Sequence, residues 1–479
     1  MVEHSKLFND IRQALYDSFP LRADALFNLL DSLSGRRSAG SVAELSLESP
    51  FERQYSSLYD AVDCFFIASD EDRMPDERNK KALERIKILL PALPEPVKRP
   101  FRLTGIDATP ALRPYAERMP DRGIQYYPNP APGNKPVGVG HSYSVLALLP
   151  EREACDPPWV IPVSCVRIPT DKTANRVAAA QMTALLNDSD LPFKGELTVN
   201  TADSGYSKAY YLSPVGEFDN HVEVARVAKN RKFYRIAPSK DPHPGHGGHP
   251  RWFGDVFDLK DESTWGVPDE ESETEWKRKS GQQFTVQLQR WDNLLMRGKR
   301  DAPMHRHPFD LIRCQVLDGE GKAVFRNTLW LIVLGKRRRE VSSLHAYEVY
   351  RQRYDMEHFF RFGKNKLLLG HNQTPELEHE ENWWELVCLA YAQLWLAMPL
   401  SQTLPRPWER YLPAWKERHI PGPAQVQRDY ERMIRQFGTP ARAPKPRGNS
   451  PGRRKGVSPV ERPRQPIIFK SRAPPEVAV

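Results

Sequence analysis

Apolar residues in the first hundred positions recur at three- and four-residue intervals. Residues 7–19, 23–33 and 55–66 each carry this spacing. They predict an N-terminal helical region over 1–98, closed by Leu93, Pro94 and Pro96. The period then changes. Residues 101–106 form a short extended run ending at Asp107, with a turn expected at Thr109 and Pro110. Residues 136–149 read as a buried strand. Residues 159–168 read as an alternating one, in which Pro162 marks an edge or bulge. A helix is predicted over 172–186, then a strand over 196–200 that runs into Asp203. Further strands are expected at 221–227 and 233–237. The order strand, strand, strand, helix, strand predicts an α/β fold with a mixed sheet and flanking helices. Its first core segment spans 99–237.

Residues 238–335 differ in character. They open on a Pro/Gly/His loop and pass through an acidic segment. Strand-like runs follow at 284–290, 311–317 and 323–334. This predicts a β-rich insertion. The core resumes over 336–400, with a helix around residue 357 and an apolar helix at 382–398. A Pro/Trp/Arg loop at 401–421 and a short helix at 423–437 make a C-terminal segment, 401–438. Residues 439–479 are expected to be a disordered basic tail. From residue 440 onward they hold nine prolines and few apolar side chains, too little to bury a core.

Charge sharpens this picture. The chain carries a net +9, and residues 440–479 alone hold ten Lys or Arg against two Glu. Most of the excess therefore sits in the tail, which suits contact with a phosphate backbone by counterion release. Arg453, Arg454 and Lys455 are its densest cationic run; a purely solubilising tail is the alternative. The most apolar stretch, 386–400, is too short to span a bilayer and contains Gln393. The start has no signal-peptide pattern. Five scattered cysteines without metal-ligand spacing read as reduced thiols, so a cytoplasmic protein with no membrane partner is expected.

One run, YRQRYDMEHFFRFGK at 350–364, concentrates the candidate chemistry. Tyr350, Arg353, Glu357 and Lys364 stand at offsets 0, +3, +7 and +14. At about 100° per residue, one helix would project all four within roughly 60° of one another. A carboxylate flanked by two cations and a phenol is a poor core face. It is a sensible way to hold a metal beside a phosphodiester. A plain helix with an Arg353–Glu357 pair is the alternative. Gly363 departs from a good helix former and is expected to let the helix bend before Lys364.

The spacing Y-x2-R-x3-E-x6-K resembles the Y-R-E-K signature of bacterial insertion-sequence DDE transposases. The resemblance implies a ribonuclease-H-like core in which Glu357 is the third catalytic carboxylate, preceded by two aspartates at strand ends. Asp107, in GIDATP, and Asp203, in TADSGY, hold those positions. It further implies that the three hold two Mg²⁺ ions (Mn²⁺ substituting) about 3.5–4 Å apart, since hard cations favour oxygen ligands. Tyr350, Arg353, Arg361 and Lys364 would then meet DNA, as would Arg453, Arg454 and Lys455. The partners implied are double-stranded DNA, as inverted repeats and target, and a second copy in a DNA-bound homodimer, in a nucleoid-associated bacterial setting. The implied activity is metal-dependent cleavage at the repeats, through a hairpin as in the relatives, and strand transfer. Another ribonuclease-H-like nuclease, or an inactive or domesticated DNA-binding protein, remain alternatives. The helices of 1–98 are the candidate for recognising DNA ends.

Other features carry less. His243, His246 and His249 are evenly spaced but lie in a Gly/Pro loop without a Cys partner, so a solvated loop is expected. Trp252, Trp265, Trp276 and Trp291 lie where related transposases carry an aromatic that stacks on a flipped base, though core packing suits most of them. The loop holding Arg113, Arg118, Arg122, Tyr126 and Tyr127 mixes cations and aromatics, as either a DNA-facing or a plain surface would.

Overall fold

The structure is a computed structural model that describes residues 2–65, 75–127, 136–238, 252–277, 282–404, 406–412, 420–446, 455–456 and 461–469. Four helices lead: α1 (Val2–Asp17), α2 (Ala23–Ser34), α3 (Tyr55–Asp63) and α4 (Pro75–Leu89). The first half of the core follows as β1 (Arg102–Leu112), β2 (Gly123–Tyr126), β3 (Val137–Leu148), β4 (Ile161–Arg167), α5 (Ala174–Asn187), β5 (Thr198–Ala202), α6 (Ala209–Val215) and β6 (His221–Arg226). Next come β7 (Lys232–Ile236), β8 (Phe253–Asp258), β9 (Glu270–Lys277), β10 (Gln283–Leu294), β11 (Phe309–Leu317) and β12 (Leu329–Leu334). Helices α7 (Ser343–Gln352), α8 (Tyr354–Lys366), α9 (Leu377–Thr403) and α10 (Pro423–Phe437) complete the chain. Local chemistry sets several of these starts. The Thr173 side chain caps α5 by accepting from the Arg176 amide, and Ser342 caps α7 by accepting from the His345 amide.

One large sheet runs β2-β3-β1-β5-β6-β12-β11-β10-β9, and β4 also pairs with β3. Strands β1, β5 and β6 are mutually parallel, and β3 alone is reversed, pairing antiparallel with both β1 and β4. The sub-order β4-β3-β1-β5-β6 is that of a ribonuclease-H-like core. The strands of 238–335 extend this sheet, because β12 pairs antiparallel with β6. That pairing explains the uninterrupted apolar LWLIVL of β12, a central strand covered on both faces, and the alternating burial of β10 further out. On the flanks, α2 is buried from Ala25 to Ser34 and packs on α9, so it has no free face to offer a DNA groove. Among the described residues, no helix is long and apolar enough to cross a membrane.

Several expectations need correction. Strand β1 does not stop at residue 106 but continues through Asp107, Thr109 and Pro110, held by β3 from Thr104↔Leu148 to Leu112↔Gly140. Its other neighbour, β5, pairs only as far as Gly105↔Thr201. Beyond that point one side of β1 is open, and a residue that cannot donate is tolerated there. The tail is not free throughout. Ile468 bridges to Gly123, its amide donating to the Arg122 carbonyl at 2.7 Å, and the Gln465 amide donates to the Glu117 carbonyl at 2.7 Å. The histidine loop at 243–249, Arg453 and Arg454 lie outside the described residues.

Candidate active site

Strands β1 and β5 part after Gly105 and Thr201. Asp107 stands two residues beyond the split on β1, and Asp203 one residue beyond the end of β5. Asp203 turns into a short helical segment, its Oδ1 accepting from the Gly205 amide at 2.7 Å. Beneath the pair lies a buried polar network. Thr104 on β1 donates to Asn200 Oδ1 on β5 at 2.9 Å. The Asn200 amide then donates to Glu223 on β6 at 3.0 Å and to the Tyr211 hydroxyl of α6 at 3.0 Å. All four are fully buried, so the network fixes the strands from which both aspartates project. Sequence reading missed it, although an Asn and a Glu inside apolar strand runs were the available signal.

Helix α8 lies against β1. Gly105 admits it: a Cβ there would stand 3.3 Å from Met356 Cγ and 3.0 Å from Leu149 Cδ1. Arg152 anchors its first turn, gripping Asp355 through two hydrogen bonds of 2.7 and 2.8 Å. Two residues on, Glu357 is 40% exposed, while the Asp107 side chain is 18% exposed. Arg353 joins them, Nη1 donating to Asp107 Oδ2 at 3.1 Å and Nη2 to Glu357 Oε1 at 2.7 Å.

The charges of Asp203 and Glu357 both act on Asp107. Burial chiefly, then the negative charges of Asp203 and Glu357, push the Asp107 carboxyl up to about 6, against the pull of Arg353 and the Ala108 amide. Three carboxylates with one guanidinium among them make a site short of positive charge. Among the described residues, no three ligating side chains converge tightly enough to enclose an ion. Here the guanidinium is what bridges Asp107 and Glu357.

The family described as DDE superfamily endonuclease matches residues 14–289, more than half of the chain. The chain belongs to the DDE superfamily of endonucleases. The matched span holds Asp107 and Asp203 and ends before Glu357, so the DDE core and the glutamate helix rest on different observations. No curated protein matches the chain significantly.

The remaining residues of this DDE endonuclease divide into those near the acids and those elsewhere. The Y-R-E-K run does not occupy one helix. Helical regularity lapses at Arg353, whose amide is shared between the Val349 and Tyr350 carbonyls, so Tyr350 lies in the last turn of α7 while Glu357 and Lys364 lie on α8. Tyr350 is half-buried, with the Arg353 guanidinium 5.8 Å from its ring centre. Lys364 donates to Thr109 Oγ1 at 2.7 Å, and burial lowers its pKa. Thr109 was missed because β1 was expected to end before it; strand alternation from Asp107 would have found it. Gly363 lies within a continuous α8 and allows close packing, its missing Cβ leaving room for Leu369 Cδ2 at 3.1 Å. Arg361 and Lys455 are exposed.

Two surface expectations fail. Arg113 is buried, donating to Glu380 at 2.6 Å and to the Gly370 and Asn372 carbonyls. Arg122 is buried among the Met119, Arg113, Pro114 and Gln465 carbonyls. Both brace the fold, whereas Arg118, Tyr126 and Tyr127 are exposed. Trp265 and Trp291 pack with Phe257 and Trp330 in the core. Trp276 lies half-buried beneath Arg351, and Trp252 stacks on His305.

Proposed function

We propose that this DDE endonuclease is a DNA transposase of the bacterial insertion-sequence type, cutting at terminal inverted repeats and joining the freed 3′-hydroxyl to target DNA. The observation that carries this reading is Asp107, a half-buried carboxylate at the splayed ends of two parallel strands, loaded by the charges of Asp203 and Glu357. Oxygen donors of this kind suit hard divalent cations, which DDE nucleases in general use. Asp107, Asp203 and Glu357 would hold Mg²⁺ or Mn²⁺. The ions would supply polarisation of the scissile phosphate and a lowered pKa at the attacking oxygen. The chain's own part is placement. Arg152 fixes the first turn of α8, Gly105 sets the approach of that helix to β1, and the Asn200 network fixes the strands. Arg353, now the counter-charge between two acids, would be released toward a DNA phosphate as the ions take over that role. Tyr350, Lys364 and Arg361 would meet the backbone along the same face, with Arg453, Arg454 and Lys455 adding contacts from the tail. A DNA-bound homodimer in a nucleoid setting completes the proposal.

The test is cleavage of a labelled duplex bearing the element's inverted repeat, with Mg²⁺ or Mn²⁺, with EDTA, and with Glu357→Ala. Nicking at the repeat boundary that needs metal and Glu357 is expected, with DNA binding kept in the variant. Binding without cleavage in every arm would overturn the proposal in favour of a DNA-binding protein without catalysis.

A further inference from the structure

On the far end of α8 from the acids lies a cleft of about 910 Å³. Three pieces of chain enclose it: the loop after α2, the last residues of α8, and α10 with the segment 406–408. Seven cationic side chains line it against a single carboxylate, Asp429. The carboxylates nearby do not neutralise the cleft; each is shared by two arginines. Asp429 takes Arg406 at 2.8 Å and Arg432 at 3.8 Å. Glu431 takes Arg37 at 2.7 Å and also Arg435. Arg36 is pinned by backbone carbonyls, including that of Lys366 at 2.8 Å. Sharing of this kind orients guanidinium forks and leaves a positive excess. Two further cations, Lys366 and Arg428, are exposed and have no acidic partner among the described residues. Trp408, also on the lining, is 62% exposed.

We infer that this cleft is a second DNA-backbone site, separate from the acids and fed by the same helix. The argument rests on the proposed DNA substrate, and deepens it. Oriented arginines, unpaired cations and one exposed indole are the parts that hold phosphates and stack on a base. From Glu357 to Lys366 the helix rises about 14 Å, the axial length of roughly four base pairs of duplex. A strand cut at the acids and running along α8 would therefore reach Lys366 about four nucleotides away.

The experiment uses the full chain, in EDTA so that binding is read without cleavage. A labelled random-sequence duplex and a labelled oligo-dT strand are titrated across a salt series. The proteins compared are the wild type, a Lys366→Ala/Arg428→Ala variant, Trp408→Ala, and Lys260→Ala as an exposed control far along the chain. The double variant is expected to weaken duplex binding about tenfold or more and to reduce the slope of log K against log salt by about two. Trp408→Ala is expected to weaken the single strand about tenfold and the duplex less. Unchanged affinity and slope in the double variant, with the fold intact by circular dichroism, would overturn the inference. So would a dimer in the wild type that the double variant dissolves at unchanged DNA affinity, which would assign the cleft to a second copy of the chain. Failure of the catalytic proposal shows separately, as absent metal-dependent cleavage while these binding differences persist.

Discussion

The residue that carries the site also carries a cost that can be measured. Without metal, the Asp107 carboxyl titrates near 6, above its ordinary value near 4, because burial and then two like charges oppose its ionisation. Below about pH 4 the group is protonated in folded and unfolded chains alike, and it costs nothing. Between about pH 4 and 6 the unfolded chain gives up the proton first, so stability falls as pH rises, and above about 6 the whole penalty remains. The shift corresponds to about 3 kcal/mol. Asp107→Asn should therefore raise stability at neutral pH by about that amount and flatten the profile between pH 4 and 6. Mg²⁺ or Mn²⁺ should stabilise the wild type and not the variant. Urea melts across pH, with and without metal, check both; superimposable wild-type and variant profiles would remove Asp107 from a shared acidic centre. This residue's place was legible in the sequence, because GIDATP follows an apolar run. The burial of Arg113 and Arg122 was not, since their partners are carbonyls and a glutamate far along the chain.

Elements were legible where pattern and packing agree and obscure where packing overrides pattern. The helix at 423–437 stands where its periodicity put it, and the expected strand-strand-strand-helix-strand order emerged with one further strand, β2, formed within the 111–135 stretch read as a loop. Pro110 reads locally as a stop, yet β1 passes through it because β5 has already left that side. Nothing in residues 343–362 announces the lapse at Arg353; neither Gly nor Pro occurs there. What surrounds it is tertiary: Arg353 reaches both Asp107 and Glu357 while Arg152 holds Asp355. The contact of α8 with β1 is close at Gly105, where a Cβ would stand 3.3 Å from Met356 Cγ. Gly105→Val should press on Met356 and Leu149 and cost about 1–3 kcal/mol by overpacking. Cleavage should fall further than that loss of folded protein explains, since displacing α8 moves Glu357 relative to Asp107. Denaturant unfolding and cleavage by the folded fraction separate the two effects, and a variant that is destabilised yet cleaves normally would show that α8 is not the element that sets the distance.

At the scale of the molecule, the N-terminal helices, the long α9 and the C-terminal α10 meet on one buried ion pair. Arg12 of α1 donates to both oxygens of Asp31 on α2, at 2.7 and 2.6 Å, and to the carbonyl of Gly438 after α10 at 2.8 Å. The same Asp31 accepts from Gln393 of α9 and Tyr430 of α10, each at 3.0 Å. Both charges are only 1% exposed. A pair this deep gains little over an apolar replacement of equal volume, because both ions were taken out of water; breaking it is another matter. Asp31→Ala would leave the Arg12 guanidinium buried without a counter-charge and should cost about 3–5 kcal/mol. It would also leave the Tyr430 hydroxyl without its acceptor and the Gln393 amide with Ser34 Oγ alone, at 3.2 Å. Segments more than three hundred residues apart in sequence share that one carboxylate, so their loss should be joint. Hydrogen exchange should show α1, α2 and α10 losing protection together. Loss confined to α1 and α2, with α10 unchanged, would mean that the C-terminal helix holds to α9 independently. The basic cleft beside α10 would then have to be regarded as a separately mounted surface.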